Sequence, residues 1–166
     1  MATAGIGVNI LNIERVERTL ARCPSMARRV FTDDERRYCE SRPRPAAHYA
    51  ARFAARGAVA TALGAGPKDG IWMRNVTIER DEDGKNHAVL AGRALELAQK
   101  AGVSEIALSL SLTHEVAVAN AVAVTEDLRP RLEEKPDPAE ELRATFRRAR
   151  TVIDELERIQ ENPTKE

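Results

Sequence analysis

Three places in the chain combine residue types and spacing that could do chemistry. At Thr113-His114-Glu115, between two β-rich runs, an imidazole stands next to a carboxylate, two groups of the kind that act in general acid–base chemistry. Taken alone, the same residues also read as a satisfied strand-end histidine followed by an exposed strand-start glutamate. At Leu63-Gly64-Ala65-Gly66 two glycines follow a helical pattern, and the first ends the helix. The third place is basic: Arg15, Arg18, Arg22, Arg28, Arg29, Arg36 and Arg37 could face an acidic protein, or could form a solvated charged face.

Other reactive residues carry less. Cys23 and Cys39 have no CxxC spacing and no histidine at ligand spacing, which points to free thiols in a reducing compartment. His48 and His87 read as a helix-surface and a hairpin residue. Asp33, Asp34 and Glu35 cluster, but Thr32-x-x-Glu35 is the pattern whose side chains satisfy free N–H groups at a helix start.

The elements that must position these residues follow from periodicity. Gly5–Ile13 reads as a buried strand, Glu14–Ala21 as a charged helix, and the segment from Thr32 as a short helix closed by Pro43 and Pro45. Ala46–Leu63 is the central helix, with Tyr49, Phe53, Gly57 and Ala60 on one stripe. Trp72–Arg80 and His87–Leu90 form a hairpin about Asp83-Gly84, and Ala91–Ala101 is a helix stopped by Gly102. Glu105–Leu112 and Val116–Val124 are strands. The expected class is α+β, with an antiparallel sheet and a long central helix. The organisation expected is a domain over 1–125, a charged linker over 126–137 and an extra C-terminal helix over 138–161. In that helix Leu142, Phe146, Ala149, Ile153 and Leu156 form a seam against its own core or another subunit.

Composition narrows the function classes. The 166 residues, 43% hydrophobic, can bury a core of one ordinary domain. Twenty-six basic residues balance twenty-six acidic ones and rings make up 4%, so neither a nucleic-acid partner nor a single-strand binder is expected. Met1–Gly70 nevertheless carries a net charge of +5, placing the basic excess in the early helices. No apolar run approaches the roughly 18 residues a membrane span needs, so a cytoplasmic protein without a membrane partner is expected.

At GIGVNI, FTDDERRYC, ARFAARGAVATALGAG, DEDGK and SLSLTHE, in that order, the chain resembles the holo-acyl-carrier-protein synthase family of 4'-phosphopantetheinyl transferases. The match covers about Ile6 to Val124. The resemblance implies a 4'-phosphopantetheinyl transferase-like fold, usually a homotrimer with sites between neighbours. It also implies coenzyme A and Mg²⁺, and transfer of 4'-phosphopantetheine to a serine of an acidic acyl carrier protein in fatty acid biosynthesis. In that reaction the serine hydroxyl attacks the β-phosphate and adenosine 3',5'-bisphosphate leaves. By the resemblance Arg52 and Arg56 hold phosphates, Gly64 and Gly66 approach coenzyme A, and His114 contacts the coenzyme or assists proton transfer, with Glu115 beside it.

The metal corner departs from the family pattern. The family's metal-binding Asp is Asn9 and its metal-binding Glu is Gly57, so only a neutral carbonyl oxygen remains as a weak ligand. The family Lys before that Glu is Arg56, and the next Lys along is Thr61. Two readings stay open: a transferase with impaired activity, or a non-catalytic paralogue that binds coenzyme A or carrier protein, or joins a mixed trimer with an active copy.

Overall fold

The computed structural model describes residues 5–71 and 73–128, together with Phe146 and Arg150. Met1–Arg129 forms one compact unit and Pro130–Glu166 a second. Of the helix expected over 138–161, only Phe146 and Arg150 are described, both helical; the rest of it, and most of the expected linker, lie outside the described residues.

The first unit is α+β, as expected. Strand β1 (Gly5–Asn12) leads into α1 (Ile13–Arg22), α2 (Ser25–Val30), α3 (Asp33–Glu40) and the long α4 (Pro45–Ala62). A hairpin of β2 (Val76–Arg80) and β3 (Asn86–Leu90), helix α5 (Gly92–Lys100), and strands β4 (Val103–Leu112) and β5 (Val116–Thr125) follow. The antiparallel sheet has the order β1-β5-β4, and β2-β3 forms a separate ribbon. One strand expectation is corrected: Met73–Asn75 is a 3-10 turn, and the strand starts only at Val76. Trp72 lies outside the described residues.

Side-chain size explains how α4 meets the sheet. In β5 the alanines 117, 119, 121 and 123 point inward and are buried, the last three in one core cluster with Ala54, Ala55, Ala58 and Val59 of α4 and Ala117 in a second with Ala47, Ala50 and Ala51. On β1 the inward positions include Gly5 and Gly7. A Cβ on Gly7 would stand 1.9 Å from the Ala58 carbonyl oxygen, so only glycine allows this backbone-to-backbone approach. The larger residues point the other way, and Ile6, Val8 and Ile10 are 67%, 54% and 60% exposed. The register sets Ile6 opposite Val122 and Ile10 opposite Val118, making the outer face of the sheet apolar as well.

Candidate functional site

The inward register of β1 places Asn9 against the middle of α4, next to Gly57. A Cβ on Gly57 would lie 1.8 Å from Asn9 Nδ2, so the amide occupies the space that any side chain at 57 would enter. A glycine in mid-helix costs about 1 kcal/mol against Ala, and here it leaves the room that the Asn9 amide takes up. Asn9, Gly57, Thr61, Gly66 and Arg56 line one cavity of about 240 Å³, closed by Phe53, Ala60, Ala65, Ile71, Met73 and Val76. All three positions where a charge of the family pattern is absent, 9, 57 and 61, thus open on the same space.

These residues do not fit a magnesium ion. Mg²⁺ asks for oxygen ligands in near-octahedral geometry, with charge from one or two carboxylates. Asn9 offers one neutral side-chain oxygen and Gly57 no side chain, while the Thr61 hydroxyl donates to the Gly57 carbonyl at 2.9 Å. Among the described residues no group of three or more His, Cys, Asp or Glu could hold a metal.

Arg56, expected at a phosphate, is engaged on protein acceptors at every guanidinium nitrogen. Its Nη2 donates to Glu35 Oε2 at 2.6 Å and Oε1 at 2.8 Å, its Nε to Met73 O at 2.9 Å and its Nη1 to Arg52 O at 3.1 Å. Glu35 also accepts from Ile78 N at 3.0 Å and, closing the capping box of α3, from Thr32 N at 2.9 Å. Both side chains are 2% exposed. Burial pulls the Arg56 pKa down, and Glu35 opposes that shift. The pair is a buried strut joining α3, α4 and β2.

Arg52 lies one turn earlier on α4 and faces a different space. Its guanidinium stacks 4.1 Å over the Tyr38 ring, with Arg42 at 4.7 Å and Arg80 at 5.8 Å from the same ring. Arg80 Nη1 donates to Tyr38 Oη at 2.7 Å. Arg52 Nε is buried and has no hydrogen-bond partner among the described residues. Arg52, Tyr38 and Arg80 line a cavity of about 470 Å³ with Thr32, Asp34, Glu35, Thr77, Ile78 and Glu79. Sequence reasoning missed this cationic cluster, because its members come from three elements and share no local pattern.

His114 and Glu115 are exposed in the β4–β5 turn, whose Thr113 hydroxyl accepts from the backbone N–H groups of Glu115 and Val116. Arg44 sits at φ 60°, an uncommon region for a residue other than glycine, and its Nη2 donates to the His114 carbonyl at 2.5 Å. That contact ties the start of α4 to the turn. Asn9 pairs with Ala119, four residues past Glu115, so within one protomer the His114-Glu115 pair stands roughly 13 Å along the sheet from Asn9. Gly64 ends α4 with φ 69°, and Gly66 N donates to Asp69 Oδ2 at 2.8 Å.

Comparison with known proteins gives a consistent result. The family model of the 4'-phosphopantetheinyl transferase superfamily matches residues 5–121. A holo-[acyl-carrier-protein] synthase of Moorella thermoacetica is 45% identical over 120 residues, covering 72% of this chain and 91% of that protein. The crystal structure of the holo-[acyl-carrier-protein] synthase of Neisseria meningitidis superposes with a TM-score of 0.66 at 29% identity, covering 73% of this chain and 98% of the other. A holo-(acyl-carrier-protein) synthase of Bacillus anthracis, in complex with CoA (3',5'-ADP), superposes with a TM-score of 0.60 at 26% identity, covering 73% and 96%.

Proposed function

The chain belongs to the 4'-phosphopantetheinyl transferase superfamily, and from that premise we propose that it is a holo-acyl-carrier-protein synthase-like protein whose transfer activity is impaired. It binds coenzyme A and an acidic acyl carrier protein, and moves 4'-phosphopantetheine to the carrier serine slowly. The observation that carries the impairment is the Asn9 amide seated in the notch of Gly57, where the family pattern has two carboxylates. Without them, developing charge at the β-phosphate lacks its main stabiliser, and electrostatic stabilisation supplies most of a phosphoryl transfer.

Arg52, together with Arg42 and Arg80 about Tyr38, is the phosphate contact in this reading, since its Nε is unpartnered. Arg56 keeps a structural role. His114 and Glu115 act on the coenzyme or the serine proton from an exposed turn, and Gly64 and Gly66 let backbone approach the coenzyme. The basic helices α1 and α2 suit an acidic carrier protein. The exposed apolar face of Ile6, Val8 and Ile10 supports assembly, which we read as a trimer in which neighbours complete each site. The second reading, a mixed trimer with an active copy, uses the same face.

Intact-mass analysis of apo acyl carrier protein incubated with this protein and coenzyme A tests the proposal. Slow appearance of the phosphopantetheinylated carrier, above a control without the protein, is expected. Absence of product in a sample that binds coenzyme A would overturn slow transfer in favour of the non-catalytic reading.

A further inference from the structure

The cavity at Asn9 has changed its chemistry as a unit. Its walls are Phe53, Ile71 and Met73 with small residues of α4, and its one guanidinium, Arg56, is spent on Glu35, Met73 O and Arg52 O. Thr61 directs its proton to the Gly57 carbonyl. What remains is the Asn9 amide, which has both a donor and an acceptor. A pyrophosphate brought here would be desolvated with neither a cation nor a free guanidinium to meet it, which is strongly unfavourable. A neutral chain with an amide of its own would meet an apolar wall and one complementary polar group, the usual make-up of a small-molecule site.

Resting on the reading of coenzyme A as ligand, we propose that this cavity takes the uncharged pantetheine arm, with Asn9 pairing to one of its amides, without metal. At about 240 Å³ the cavity is smaller than the roughly 300–1,000 Å³ of drug-sized sites, so it holds a segment of the arm. The phosphates then lie outside it, where Arg52 and the Tyr38 cluster supply positive charge. Asn9 is thereby a specificity residue: the amide that closes the corner to a cation is the group that recognises the neutral chain.

The test is calorimetric titration of the full chain with coenzyme A, pantetheine and adenosine 3',5'-bisphosphate, each with and without Mg²⁺. Pantetheine is expected to bind, with an affinity that Mg²⁺ leaves unchanged. Asn9→Asp, which puts an unpaired charge into the cavity, is expected to weaken pantetheine about tenfold or more and to leave the bisphosphate unchanged. Asn9→Leu, neutral and of similar volume, should also weaken pantetheine, and serves if the Asp variant does not fold. Binding of coenzyme A without binding of pantetheine, or pantetheine affinity unchanged in both variants, would overturn the inference while leaving the wider reading in place. Binding of neither coenzyme A nor pantetheine would overturn both.

Discussion

Glu35 and Arg56 show how far a residue's role can stand from its local pattern. Thr32-x-x-Glu35 was legible as a capping box because a cap is made within four residues, and it forms as expected. That the same carboxylate also holds Arg56 and the Ile78 N–H could not be read, since those partners are 21 and 43 positions away. Breaking one side of a buried pair leaves an uncompensated charge. Glu35→Ala is therefore expected to cost about 3–5 kcal/mol in urea unfolding, and a loss under about 1 kcal/mol would show that the strut is dispensable. The Asn9–Gly57 contact is similar: both departures from the family pattern are visible in sequence, but that one fills the space of the other needs the register of β1 on α4.

At the level of elements, several boundaries followed from punctuation: Gly64 after the end of α4, and Gly84 and Gly102 at positive φ in turns. Pro45, read as closing the preceding helix, instead opens the first turn of α4, and α3 already ends at Glu40. The short α2 was not delimited, because Ser25–Val30 spans too few residues for a periodic signal. The strand expected from Trp72 fails at Met73–Asn75, a 3-10 turn that supplies Met73 O to Arg56. The first turns of α4 carry His48, edge-on to Tyr38 at 5.8 Å. Burial, then the charges of Arg52, Arg42, Arg80 and Arg44, lowers its pKa from 6.5. The unfolded chain thus takes up this proton first as pH falls, so the contribution is present above the unfolded value and is lost through the folded one. Thermal melts between pH 7 and 5 should fall less for His48→Gln than for the parent chain, and parallel slopes would remove His48 from the account.

At the scale of the whole molecule, β5 and most of β1 turn the usual sheet pattern around, with alanines and glycines inward and valines and isoleucines outward, while β4 sends Ile106, Leu108 and Leu110 to the core. An outer face bearing Ile6, Val8 and Ile10 beside Val118 and Val122 is larger in apolar character than a lone domain normally leaves in water. Replacing Val8 and Ile10 by Lys should dissociate the proposed trimer in light scattering while far-UV circular dichroism stays unchanged; a parent chain that is already monomeric would contradict the proposal. The alternation itself was open to view in VAVANAVAV, but which set faced α4 depended on Gly7 and Ala58, which only the packed structure brings together.

The central claim is that loss of the two carboxylates at one corner limits transfer in an otherwise intact frame. The most direct measurement compares, by intact mass, the rate of phosphopantetheine transfer to apo carrier protein by the parent chain and by Asn9→Asp/Gly57→Glu, each with and without Mg²⁺. The account predicts a slow, Mg²⁺-insensitive parent and a double variant at least about tenfold faster only when Mg²⁺ is present, because the ion then draws the pyrophosphate into the corner that the neutral arm fills in the parent chain. A parent chain whose rate already rises with Mg²⁺ to match the double variant would contradict it.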